Sequence, residues 1–179
     1  MTEENKIQND EIQNAEGGVG VIRAKEGKYL TFQLDTEVYG LDILMVQEII
    51  GLIPITRVPK MPDFLRGVIN LRGKIIPIID LRVKFRLDAK EDTEKTCIIV
   101  VQIEVDGKQL TMGAIVDEVA EVIDIRQNQI EFPPSLQVNA ALDFIMGMGK
   151  IGEKVIMLLD IEQVFGEEDI QSAFEQCAQ

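Results

Sequence analysis

Apolar residues recur along this chain mainly at a spacing of two, the period of a β-strand. Tyr29-Leu30-Thr31-Phe32-Gln33-Leu34 alternates, and Val38-Tyr39-Gly40-Leu41 follows after the polar Asp35-Thr36-Glu37, which predicts a hairpin. Further β-like runs cover residues 46–58, 68–71, 75–79, 97–105, 109–116, 119–125, 144–148 and 155–159, separated by turn residues such as Asp106-Gly107. Helical spacing is scarce. Asp80 and Asp160 each precede a short apolar-periodic stretch, 81–85 and 161–165, and sit where an N-cap belongs. Gly166 suits a C-terminal cap, and Ile170, Ala173, Phe174 and Cys177 at i, i+3, i+4, i+7 predict an amphipathic helix or tail over 167–179. The first 25 residues are polar, lack sustained periodicity and contain Gly17-Gly18-Val19-Gly20, so they are expected to be a disordered acidic leader, with structure starting near Lys28.

The two halves of the pattern repeat. Residues 40–50 match 113–123 at an offset of 73, with identical Gly, Val, Glu and Ile at corresponding places. Gly67, Lys74, Ile76, Asp80 and Phe85 match Gly147, Lys154, Ile156, Asp160 and Phe165 at an offset of 80. The change in offset falls where Phe132-Pro133-Pro134 and the polar stretch to Asn139 indicate a longer loop in the second copy. Many short strands without long helices indicate barrels or sandwiches. The expected fold is therefore all-β, with two pseudo-symmetric barrels of about five strands within residues 26–166. The halves are expected at about 28–95 and 96–160, with some exchange of strands possible between them.

Composition excludes several classes of function. The 179 residues, 46% apolar, can bury a substantial core without staples. No apolar run approaches the roughly 20 residues of a membrane helix, and the start lacks the regions of a signal peptide, so a cytoplasmic chain without membrane insertion is expected. Cys97 and Cys177 are too isolated to indicate a disulfide framework or a metal site. Histidine is absent, and phosphate-loop, Gly-x-Ser-x-Gly and paired-cysteine motifs are missing, so neither cofactor nor catalytic machinery is indicated. The net charge of −13 argues against nucleic acid. Its distribution is uneven. Residues 1–16 and 160–179 are strongly acidic, whereas residues 57–86 hold eight bases against Asp63 and Asp80, and residues 88–131 hold eleven acids against four bases. Such polarity suits either two solvated faces or oriented docking of partners.

Few residues invite a chemical reading. Asp80 and Asp160, related by the repeat, could share a proton like an aspartic-protease dyad and so make a hydrolase, but capping accounts for the repetition equally well. A small-ligand sensor using a cleft between the barrels is a further alternative. The segment Arg66 to Asp80 places two apolar strands around a tight turn bearing Arg72 and Lys74, while the second copy has Ile151 to Glu153 there and lacks the Asn and Arg. Gly73 would allow positive φ in that turn. Glu48 and Glu121 occupy matching places inside apolar strands and read as outward carboxylates at period two. Of the seven methionines, Met45 and Met61 are the ones expected at the surface.

The segment Tyr39-Gly40-Leu41-Asp42-Ile43 through Val46-Gln47-Glu48-Ile49, then Gly67-Val68-Ile69-Asn70-Leu71-Arg72-Gly73 and Pro77-Ile78-Ile79-Asp80-Leu81-Arg82, resembles the CheW-type chemotaxis coupling proteins, over about residues 27 to 166. The resemblance implies two SH3-like barrels related by pseudo-symmetry. It also implies a non-catalytic adaptor that links the cytoplasmic tips of methyl-accepting chemoreceptors to the regulatory domain of a chemotaxis histidine kinase. By motif, Val46 and Glu48 on the long strand, with Gly67, Asn70 and Arg72 on the hairpin, are then the expected partner-binding positions.

Overall fold

The alternating runs become β1 (Gly27–Leu34), β2 (Glu37–Asp42), β3 (Val46–Gly51), β4 (Leu65–Leu71), β5 (Lys74–Asp80), β6 (Cys97–Val105), β7 (Lys108–Val116), β8 (Glu118–Ile125), β9 (Ile130–Glu131), β10 (Ile145–Ile151) and β11 (Lys154–Leu159). Among the described residues three short α-helices accompany them: α1 (Leu81–Lys84), α2 (Pro134–Gln137) and α3 (Ile161–Phe165). The structure is a computed structural model that describes residues 22–165. The leader over 1–21 and the tail helix over 167–179 lie outside the described residues.

Two barrel-like sheets result, one ordered β3-β6-β7-β5-β4 and the other β8-β1-β2-β11-β10-β9. In the first, the chain beyond β3 returns to β4 through Thr56, whose N–H and C=O both bond to Val68 at 2.9 Å and bring the ends of the sheet together. In the second, β9 does the same beside β10. Each repeat contributes a hairpin, a long strand and a second hairpin, and the leading hairpins are exchanged. β1 and β2 sit in the sheet otherwise built from β8 to β11, whereas β6 and β7 sit among β3, β4 and β5. The register repeats too. Gly40 faces Leu158 across the parallel pair β2 and β11, and Gly113 faces Ile78 across β7 and β5. The two repeated glycines share a cause: a Cβ at Gly113 would come within 2.5 Å of Ile78 Cδ1, and one at Gly40 within 3.0 Å of Leu158 Cδ2.

Three apolar clusters hold this arrangement. Ile69, Ile76, Ile78, Ile98, Val100 and Ile115 fill the first barrel, and Tyr29, Ile125, Ile130, Ile156 and Leu158 fill the second together with Ala24. The largest cluster lies between the barrels and includes Leu30, Phe32, Leu34, Ile79, Ile99, Val101 and Phe165. Alternate residues of one strand therefore enter different cores: Ile98 and Val100 point into a barrel, Ile99 and Val101 out to the shared cluster. That is why 98–101 and 76–79 are continuous apolar runs, since strands buried on both faces have no polar side. An aromatic ladder, Phe32, Tyr39, Phe85 and Phe144, stacks through the shared cluster with centroids 5.8, 5.6 and 4.7 Å apart.

The structure corrects three expectations. The run expected over 46–58 is a strand only to Gly51, because Pro54 and Pro59 cannot donate to a ladder and the chain turns at Pro59-Lys60 on its way to β4. Residues 22–25 belong to the folded body and not to the leader: Arg23 and Ala24 donate to the Met146 carbonyl, and Ala24 is buried. Met45 and Met61 are half-buried against the shared cluster. The sheets cross the divisions at 28–95 and 96–160 through the strand exchange that this reading allowed, a whole hairpin from each half. Each half thus supplies the other's central strands. Expressed separately, residues 22–95 and 96–165 are expected to give poorly dispersed amide spectra and non-cooperative melts, with dispersion recovered on mixing. A cooperative melt from either piece alone would overturn this.

Candidate functional site

At the tip of β4 and β5 the chain reverses in two residues, Arg72 and Gly73, flanked by the pair Leu71 and Lys74. Both take positive φ, 50° and 85°, the combination of a type I′ turn whose twist matches that of the strands. The Asn70 side-chain carbonyl accepts the Gly73 N–H at 2.9 Å and fixes the turn. For arginine the left-handed conformation is unfavourable by roughly 1 kcal/mol, and glycine would suit it better. The second hairpin, β10 and β11, places Gly152 at the corresponding position with φ 61°. The first copy thus carries a costly arginine where the second has the residue the backbone prefers.

The Arg72 guanidinium donates to Glu48 Oε1 on β3, so the carboxylate read as an outward position is engaged across the sheet end. Glu48 is half-buried at 25% side-chain exposure, and Arg72 is exposed at 69%. A pair that open to water contributes at most about 1 kcal/mol to folding. Val46 lies two residues before Glu48, across a bulge, and is half-buried against the shared cluster. Gly67 stands apart from this group. It is buried at φ 146° beneath the Thr56 backbone, where a Cβ would collide with the Thr56 carbonyl oxygen. Of the five expected positions, the structure joins Glu48, Asn70 and Arg72, keeps Val46 on the same strand and puts Gly67 at the closure of the sheet.

The repeated aspartates are caps. Asp80 accepts from the Arg82 amide at 3.0 Å and pairs with Arg66; Asp160 accepts from the Gln163 amide at 3.3 Å and pairs with Arg23 at 2.6 Å. Their own amides donate to Phe64 and Phe144 carbonyls, both at 2.8 Å. Neither carboxylate bonds to the other among the described residues, so nothing in this arrangement supports a shared proton. No group of three or more Cys, Asp or Glu able to hold a metal ion occurs among the described residues, and no described helix is long and apolar enough to cross a membrane.

The strongest polar cluster is one that composition hides. Arg82, 7% exposed, donates through Nε and Nη2 to both oxygens of Asp117 at 2.8 and 2.7 Å, while Asp117 also accepts the Asp35 amide at 2.8 Å. Burial alone would push the Asp117 carboxyl up, but the Arg82 hydrogen bonds, the Asp35 amide and the nearby positive charges of Arg82 and Lys90 outweigh it and hold the carboxyl below its usual range. Arg82 belongs to α1 beside the first sheet, Asp35 to the β1–β2 turn of the second and Asp117 to the crossover between them. The bidentate pair therefore bolts the exchanged hairpin to the opposite barrel.

A duplicated β architecture with one specialised hairpin now stands beside what known proteins show. The CheW-like domain model matches residues 28–169. The chain belongs to the CheW-like family. Among its relatives, the chemotaxis protein CheW of Klebsiella aerogenes is 41% identical over 143 residues, covering 80% of this chain and 84% of the relative. That of Treponema pallidum is 31% identical over 156 residues, 84% of this chain and 88% of the relative. The crystal structure of the scaffolding protein TtCheW from Thermoanaerobacter tengcongensis superposes with a TM-score of 0.69 at 39% identity, over 80% of this chain and 95% of that one. Membership in the CheW family makes this chain a chemotaxis adaptor that couples components of the signalling system. Neither these likenesses nor the aspartate geometry supports the hydrolase alternative.

Sequence reasoning missed part of the CheW-like surface. Ile49 beside Glu48 and Ile75 opposite Asn70 are 43% and 63% exposed, and Leu44, ahead of Val46, is 88% exposed. The repeat carried a signal: the positions matching Ile49 and Ile75, Val122 and Val155, are also exposed apolar residues, at 48% and 51%. These four positions face water in both copies and so lie outside the cores.

Proposed function

We propose that this adaptor joins the cytoplasmic tip of a methyl-accepting chemoreceptor to the regulatory domain of a chemotaxis histidine kinase, in the cytoplasm and without chemistry of its own. Holding both partners on one rigid body raises the local concentration of each beside the other. Val46, Glu48, Asn70 and Arg72 form the partner-facing group, with Ile49 and Ile75 supplying apolar area around the charged pair and Gly67 shaping the strand beneath it.

One observation carries the assignment of the site: Arg72 occupies a left-handed turn position that its repeat counterpart fills with Gly152, although its exposed pair with Glu48 adds little to folding. A residue retained against the local backbone preference, and not repaid by the fold, is expected where a partner needs the guanidinium. Arg72→Gly is therefore expected to leave the melting temperature nearly unchanged, since relief of the turn offsets the lost pair. Calorimetry against a receptor signalling fragment and against the kinase regulatory domain should show roughly tenfold weaker binding to at least one of them, about 1.4 kcal/mol. Unchanged affinity for both would refute the site. Failure of the unmodified chain to bind either partner at tens of micromolar would refute the coupling itself.

A further inference from the structure

Beside α1 lies an open groove of about 900 Å³, bounded by the 57–66 segment and by residues 80–90. Val46, Glu48, Asn70 and Arg72 do not line it. Arg57, Lys60, Arg86 and Lys90 stand exposed along it, and none of the four forms an ion pair among the described residues. Met61, Val83 and Leu87 give the same groove an apolar floor, with Val83 41% exposed. The surface thus asks for a ligand segment that is negative and also carries apolar side chains.

The chain itself supplies one. Beyond Phe165, residues 166–179 hold Glu167, Glu168, Asp169 and Glu175 with no base, and the spacing of Ile170, Ala173 and Phe174 offers a narrow apolar face. Phe165 is buried in the same cluster as Leu81, the residue next to Arg82 at the groove's wall. Fourteen further residues have a root-mean-square reach of about 20 Å as a flexible chain. Tethering at such a distance amounts to a millimolar local concentration, so even weak attraction fills the site.

We propose that the acidic C-terminal segment, residues 166–179, docks in the basic groove formed by Arg57, Lys60, Arg86 and Lys90 and competes there with any acidic segment of a partner. The docking goes beyond the receptor-to-kinase reading and stands or falls separately from it.

Cys177 provides the probe, since Cys97 is the only other thiol. A nitroxide attached at Cys177 in full-length Cys97→Ser protein is expected to broaden the amide signals of residues 57–62 and 82–90. The broadening should vanish at about 0.5 M NaCl, where the screening length falls to about 4 Å. It should also vanish in the variant E167Q/E168Q/D169N/E175Q. Should Cys97→Ser disturb the fold, amide shifts between the unlabelled natural chain and the neutralised variant read the same contact, and must concentrate on those two segments. Broadening centred on another surface, or no shift at the groove on neutralisation, overturns the proposal. Groove shifts produced only by an added glutamate-rich peptide, with the tail's charge irrelevant, also overturn it and assign the groove to an external acidic partner.

Discussion

Replacing Arg82 by methionine is expected to destabilise the fold by about 3 kcal/mol or more, the largest effect of any single charged side chain here. The methionine keeps most of the aliphatic volume, so the loss is electrostatic. Asp117 would remain against the β1–β2 turn with both oxygens stripped of their guanidinium, and a carboxylate left unpaired there is worse than none. For a chain of this size the melting temperature should fall by roughly 6–12 °C. Adding Asp117→Asn to Arg82→Met should return part of the loss, because an amide tolerates the site without a countercharge. A double variant no more stable than Arg82→Met would show that packing, not the ion pair, dominates. The pH dependence follows from the same pair. The Asp117 carboxyl is depressed in the folded state, so its contribution is present above the unfolded value near 3.9 and is lost as pH falls through the folded value. Denaturation curves measured from about pH 5 downwards should be steeper for the natural chain than for Asp117→Asn.

Gly67→Ala is expected to cost about 3 kcal/mol, although it adds one methyl group. The new Cβ would meet the Thr56 carbonyl oxygen, which is backbone and cannot move without breaking both bonds between Thr56 and Val68. Two lost hydrogen bonds at about 1 kcal/mol each, with positive-φ strain of about 1 kcal/mol or more, give that figure. The repeat supplies a control. At Gly147 the added atom meets Ile130 Cγ2 at 2.9 Å and Ala24 Cβ at 3.2 Å and no backbone oxygen, and φ is not positive there, so Gly147→Ala should cost about 1–2 kcal/mol of overpacking. Urea titration of the two variants distinguishes the cases, and equal midpoints would contradict the sheet-closure account. Any loss of partner binding in Gly67→Ala would then have to be separated from loss of fold.

Much of the fold was legible because period-two alternation and the repeat are both local properties. Strands near β1, β2, β4 to β8, β10 and β11 could be placed from them, as could the caps at Asp80 and Asp160. Alternation reports which face of a strand is apolar and not which strand lies beside it. The hairpin exchange was therefore visible only as a possibility, because either neighbour would satisfy Leu30, Phe32 and Leu34. The same limit applies to the site. Asn70 and Arg72 stood out by comparison with the second copy, yet the contact between Arg72 and Glu48 joins the β4–β5 turn to β3, which is not adjacent to either strand in sheet order. That Gly67 sits beneath Thr56 was not legible, because Thr56 lay in a stretch that reads as continuous strand until the prolines are weighed. Arg82 was hidden most thoroughly, counted among surface cations although its partners come from turns 35 and 47 residues away.

The exchange of hairpins also sets an order of events during synthesis. Every strand of the barrel that carries Arg72 has left the ribosome once Val116 has, whereas β1 waits for β8 and β2 for β11, whose pairing with β2 joins Val38 to Ile156. At translation speeds of about 5–20 residues per second, the wait for the roughly 120 intervening residues is on the order of 10 s. Throughout it Leu41, fully buried at the end, lies on a strand whose far edge is unpaired. The β3 to β7 barrel is complete first, and its outer face, bearing Ile79, Ile99 and Val101, is the surface on which the waiting hairpin can be stored. Nascent chains released before Leu159 would expose that hairpin, which makes the last strand to be made the one that decides whether the first is safe from aggregation.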